Sequence, residues 1–229
     1  MDRRDWLTTM GIAGAGLAMG STCRADGHGD KLMAAATGFH HHFCGIHAAK
    51  NNAKFQIVTQ HYCLLGEKVH QCLLFEKCDA GAKLLGVEYI ISDEAFKALD
   101  DKEKAYWHPH AYEVMGGGLI APGMTPEKEL EFMGVILTTW GKTWHTWPDP
   151  SKDYPVGEPL LMWSLGGDDQ VIPAVVAGRD KQFNVDTKKI REVRAKKFGY
   201  EVPQVPFPKE MKEIGRKWTA SGQDEPKKL

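Results

Sequence analysis

Residues 55–64 and 69–75 alternate apolar and polar side chains on either side of the dipeptide Gly66-Glu67. Successive side chains of an extended strand point to opposite faces, so this alternation, with β-branched Ile57, Val58 and Thr59, marks strands with one face buried. A Gly-X pair suits a two-residue hairpin turn. The segment is therefore expected to be a β-hairpin, and such a turn sets His61 opposite Cys72 on one sheet face. An isolated hairpin is marginal in water, so the remaining chain has to extend and cover it.

The flanking segments supply the material. Residues 84–91 (LLGVEYII) read as a third strand, and Ser92 is placed to cap a helix over 93–107, with Asp93 and Glu94 complementing its positive end. Residues 110–119 form a strand candidate interrupted by Gly116, Gly117 and Gly118. Thr125-Pro126-Glu127 opens a helix with Pro at its first position; it is expected to run to about Trp140 and stop at Gly141, before a strand-like 142–147. An apolar run at 160–165 and a charged amphipathic helix at 186–198 follow, while 39–52 reads as a helix broken by Gly45. Strands and helices mix without strict βαβ alternation. That favours an α+β fold, a mainly antiparallel sheet with helices packed on it in a single domain.

The N-terminus carries an address. Arg3-Arg4 is followed by a weakly apolar, Gly/Ala-rich stretch over 10–19, and small residues come after it. That stretch is short of the roughly 20 residues a membrane-spanning helix needs, and its grammar is that of a cleaved twin-arginine signal over 1–25. Cys23-Arg24-Ala25 offers the small residues a peptidase reads. Lipid anchoring at Cys23 is the weaker alternative, because Gly20-Ser21-Thr22 lacks the residues of a lipid box. The expected organisation is a linker at 26–38, a folded domain at 39–199 and a Pro/Lys-rich tail at 200–229, working in the periplasm or secreted. No later stretch reaches transmembrane length. A formal net charge of −1 provides no basic surplus for phosphate neutralisation, so nucleic acid is not an expected partner.

Histidine spacing carries the chemistry. In Trp107-His108-Pro109-His110-Ala111-Tyr112-Glu113, an extended backbone sends His108 and His110 to one face, and a bend near Pro109 lets Glu113 join them. Two imidazoles and a carboxylate suit zinc, iron or manganese. His145, between Trp144 and Trp147, is the natural further ligand if its strand lies alongside. A second, weaker set is His42, Cys44 and His47 with His61, whose nitrogen and sulfur donors suit zinc or copper. The competing reading makes these side chains structural, with histidines bonded to backbone and cysteines packed as small apolar groups. Cys44, Cys63, Cys72 and Cys78 permit two disulfides, and a nucleophile of Cys63 or Cys72 beside His61 stays formally open. The chain has no Ser-His-Asp grammar, P-loop or dinucleotide fingerprint.

The segments His42-Phe43-Cys44, His61-Tyr62-Cys63, Gln71-Cys72, 86–92 (GVEYIIS), Trp107-His108-x-His110-x-Tyr112-Glu113-Val114 and Gly141-Lys142-Thr143-x-His145-x-Trp147 occur together in this order. Jointly they resemble the oil-body-associated protein family over residues 39–198. The resemblance implies a lipid surface as a partner and a recurring role for the histidine motifs. It carries no catalytic residues over. The two functions expected are thus a transition-metal-binding domain and a non-catalytic lipid-associated or interaction protein.

Overall fold

The computed structural model describes residues 37–50 and 52–198. Its strands are β1 (His41–Ala49), β2 (Asn52–Leu64), β3 (His70–Phe75), β4 (Leu84–Ser92), the two-residue β5 (His108–Pro109), β6 (Thr139–His145) and β7 (Leu160–Ser164). The helices are α1 (Asp93–Lys97), α2 (Asp101–Lys104), α3 (Ala111–Met115), α4 (Pro126–Ile136), α5 (Pro173–Phe183) and α6 (Thr187–Phe198), with a 3₁₀ turn at Asp168–Gln170. The strand order β4-β3-β2-β1-β7-β6 returns from β6 to β4, all pairings being antiparallel. The mixed α and β composition and the antiparallel pairing match the sequence reading. The sheet, however, closes into a six-stranded barrel, which leaves no long open edge among these strands.

Several local expectations are corrected. The hairpin forms, but 65–69 bridge its strands and the register places Cys63 opposite Cys72 and His61 opposite Leu74. Within this five-residue connection the Gly66 N–H donates to His70 Nδ1 at 3.2 Å. The two-residue shift preserves which face each side chain occupies. Residues 41–49 form a strand, because β1 is buried along nearly its whole length and so lacks the period-two signal. The helix expected over 93–107 splits at Asp100, whose carboxylate caps α2 by accepting from Glu103 N–H at 2.9 Å. Residues 110–119 are not a strand: His110 already has helical dihedrals and opens α3. Finally, α4 stops at Ile136 and Gly141 lies inside β6.

A barrel this small has its interior filled by side chains. Register assigns them: Phe43 and Gly45 from β1, Thr59 and His61 from β2, Glu88 from β4, and Thr139, Gly141, Thr143 and His145 from β6 share the inward face. Glu88 pairs with Thr143 and Gly86 with His145 along the β4–β6 seam. One end is closed by apolar packing, where α4, the end of α3 and the segment after it bring Met133, Ile136, Met115 and Leu119 into one cluster with Phe43, Leu74 and Ile90. Fully burying such a side chain contributes roughly 1.5–3 kcal/mol. Arg179 from α5, fully buried, donates to the carbonyls of Gly118 and Gly117 at 2.7 and 2.8 Å and so ties down the chain leaving α3. Among the described residues no helix is long and apolar enough to cross a membrane.

Candidate metal centre

Glu88 is the hub of the interior. It sits mid-strand in an apolar segment, 2 % exposed, and an isolated buried carboxylate is costly unless paired. Its Oε1 accepts from Thr143 Oγ1 at 2.7 Å and lies 3.3 Å from His108 Nε2 and 3.6 Å from His110 Nε2. Its Oε2 lies 3.2 Å from His61 Nε2, which is 3.1 Å from His47 Nε2. Two donor trios result, His47–His61–Glu88 and Glu88–His108–His110, and the ligand atoms of each lie within 4.8 Å of one another. All five side chains are buried.

The backbone explains the approach. β5 pairs with β6 at His108–Gly141, and the turn into α3 brings His110 round beside it. A Cβ at Gly141 would collide with Glu88 Oε1 and lie 2.7 Å from the Nε2 atoms of both His108 and His110. Only a glycine lets β6 pass behind that trio.

Ring tautomers follow from their outer partners. Thr139 Oγ1 donates to the Ile136 carbonyl at 2.7 Å, so it accepts from His110 Nδ1–H, also at 2.7 Å. His61 Nδ1–H donates to the Thr59 carbonyl at 3.2 Å. With Nδ1 so engaged, both rings turn Nε2 toward the Glu88 carboxylate. Outer hydrogen bonds of this kind orient the imidazoles of metal sites. His108 has neither ring nitrogen in a hydrogen bond, and His145 Nδ1 is likewise buried without a partner.

Electrostatics follow the same arrangement. Burial pushes His47 well below the usual imidazole range, with the neighbouring His61 adding to it, and pushes His145 down to about 3. Burial also lowers His108 against the opposing pull of Glu88. For Glu88, burial favours the neutral acid, yet the surrounding His108, His110 and His61 outweigh it and hold the carboxyl well below its ordinary value. Burial acts downward on His110 too, but Glu88 and Glu113 hold it above its ordinary value. Burial raises Glu113 to about 7.

The structure brings His108, His110, His47 and His61 around one carboxylate. Glu113 stands beside them, its Oε1 3.8 Å from His110 Nε2. His145 faces His47 Nδ1 through its Nε2 at 3.2 Å, behind the first trio. His42 and Cys44 occupy the opposite face of β1 and turn to Gln60, His42 Nε2 at 2.9 Å from its Oε1 and Cys44 accepting from its Nε2 at 3.5 Å. Burial pushes the Cys44 thiol up to about 12, far from the thiolate a metal needs. Cys63 and Cys72 are joined in a disulfide, which overturns the Cys–His nucleophile. Glu88 escaped the sequence reading of the site, although a lone carboxylate inside an apolar strand was its visible signal.

Beside the histidines is a cavity of about 20 Å³ whose lining combines polar His61, Glu88, His110 and Glu113 with apolar side chains that include Phe43, Leu119 and Ile136.

Residues 33–197 match the family model described as "Protein of unknown function (DUF1264)". The chain is 33% identical over 165 residues to oil body-associated protein 1B of Arabidopsis thaliana, covering 71% of this chain and 68% of that one. It is 37% identical over 185 residues to oil body-associated protein 1A of Zea mays, covering 76% and 78%. To oil body-associated protein 2A of Zea mays it is 35% identical over 161 residues, covering 67% and 63%. No solved structure matches the chain.

Proposed function

The chain belongs to the DUF1264 family, to which the plant oil body-associated proteins are similar, and from that footing we propose that it is a metal-binding domain whose barrel interior holds a transition-metal ion against Glu88. One observation carries the reading. The Nε2-to-carboxylate separations of 3.2, 3.3 and 3.6 Å are too long for charge-assisted hydrogen bonds, which contract to roughly 2.7–2.9 Å. Donors on one ion with bonds of about 2.1 Å sit roughly 3.0–3.4 Å apart. The His61 and His108 separations fall within that range and the His110 separation lies just outside it, a spacing that suits a cation between the donors.

His108 and His110 with Glu88 are the proposed ligands, Glu113 completes the His110 side, and His145 orients His47. Nitrogen and oxygen donors without sulfur suit zinc, iron or manganese. A bound ion would supply Lewis acidity at its open position. The protein's own contribution is to fix the ring tautomers through Thr139 and Thr59 and to keep bulk water out with Phe43, Leu119 and Ile136. The same proposal places the domain outside the cytoplasm. The twin-arginine pattern lies outside the described residues, and the Cys63–Cys72 disulfide is the kind of bond an oxidising compartment sustains.

Elemental analysis tests this on protein purified from its exported fraction, beside a His108→Ala/His110→Ala variant whose fold is checked by circular dichroism. The expected outcome is metal near one equivalent or above in the wild type and at least about a tenfold loss of affinity in the variant. Equal contents in the two, or none in either, would sink the proposal. The second reading is a lipid surface, favoured by the names of the plant relatives. It stands if no metal is found.

A further inference from the structure

The donors of the interior gather as two trios, not as one set of five, and they share Glu88 alone. The sharing is divided by atom: Oε2 faces His61, whereas Oε1 faces His108 and His110. A single ion with bonds of about 2.1 Å reaches donors no more than roughly 4.2 Å apart, even when they stand opposite each other. Ligand atoms lie within 4.8 Å of one another only inside each trio, and the five do not form one such set. One ion would leave one histidine pair unused, although both pairs are buried and the outer hydrogen bonds of His61 and of His110 each turn an Nε2 inward.

We propose that the barrel holds two divalent transition-metal ions bridged by the Glu88 carboxylate, one on His47 and His61 and the other on His108 and His110. This rests on the metal-binding reading above and adds the number of ions and the bridge. A carboxylate spanning two ions through its separate oxygens sets them at the roughly 3.5–4 Å typical of two-metal centres. The small cavity touches His61 of one trio, His110 of the other and the shared Glu88, with Glu113 on its wall. At about 20 Å³ it has room for one water-sized oxygen ligand between the trios.

The other buried charges are already spoken for by structure. Arg179 and Arg194 are bonded to backbone carbonyls and to acidic partners, and Lys50 lies over the Tyr106 and Trp163 rings. Among the described residues, the interior histidines and Glu88 are the buried groups whose ligand atoms gather as candidate metal sets.

Titration of chelator-stripped protein with Co²⁺, followed by visible absorption and calorimetry, reads the stoichiometry. Two equivalents are expected for the wild type, and one each for His61→Ala and for His108→Ala. Saturation of the wild type at one equivalent overturns the bridged pair and leaves the metal-binding reading intact. No binding overturns both. Because either variant could fail to fold, Mn²⁺ loading of the wild type provides a second readout by electron paramagnetic resonance. At two equivalents, a bridged pair replaces the six-line signal of isolated Mn²⁺ with a spin-coupled spectrum. Two undiminished isolated signals overturn the bridge.

Discussion

Gly141 marks the point where β6, a carboxylate and two imidazoles converge, and the only side chain that fits there is none. Its backbone is ordinary strand, so alanine is tolerated conformationally and its effect is one of space. Gly141→Ala is expected to keep the far-ultraviolet circular dichroism of the wild type while weakening metal retention by at least about tenfold, the scale seen when the surroundings of a ligand are disturbed. Competition with a chromophoric chelator measures it; unchanged retention would show that the His108 and His110 trio holds nothing. At this scale the sequence was half legible. His108 and His110 could be singled out because two histidines one residue apart are an uncommon pattern, although they meet through a turn and not along a strand. Glu88 could not be paired with them, since nothing local in LLGVEYII says which residues lie across the barrel. His47 and His61 appeared in a set with His42 and Cys44, but strand alternation separates the odd-numbered pair from the even-numbered one.

The elements read best where one face is wet. The alternation of β2 and β3 gave their positions closely, and Ser92 and Thr125 cap their helices as their side chains suggest, accepting from Ala95 N–H at 3.2 Å and Lys128 N–H at 3.4 Å. β1 resisted because burial on both sides removes the periodicity that distinguishes strand from helix. The break between α1 and α2 is set by one capping carboxylate, Asp100, against an otherwise helical composition. The β2–β3 hairpin is further tied by the disulfide between directly opposed Cys63 and Cys72, nine residues apart in sequence. Closing a loop of that length stabilises by roughly 2–3 kcal/mol in the chain-entropy account. A Cys63→Ala/Cys72→Ala variant is therefore expected to lose about that much in urea denaturation, and a loss below about 0.5 kcal/mol would contradict that account of the bridge.

Closure of the whole barrel was the least legible property, because the β4–β6 seam joins residues 47 to 59 positions apart and depends on all the intervening registers being right. Antiparallel pairing and the mixed composition could be read, but the return of the sheet on itself could not. Once closed, six strands leave an interior filled mainly by side chains, and this one carries Glu88, histidines and threonines where an apolar core would be the ordinary filling. The polar lining costs stability unless its charges and lone pairs are compensated. The proposed cation would compensate them and would account for the glycine, the fixed ring orientations and the long histidine-to-carboxylate separations together. The most direct measurement is anomalous diffraction from crystals grown after loading with Zn²⁺ or Mn²⁺. The expected result is anomalous density inside the barrel within about 2.3 Å of a Glu88 carboxylate oxygen and of a facing histidine Nε2. An interior without anomalous density, in which those same atoms have closed to hydrogen bonds of about 2.8 Å, would contradict the account.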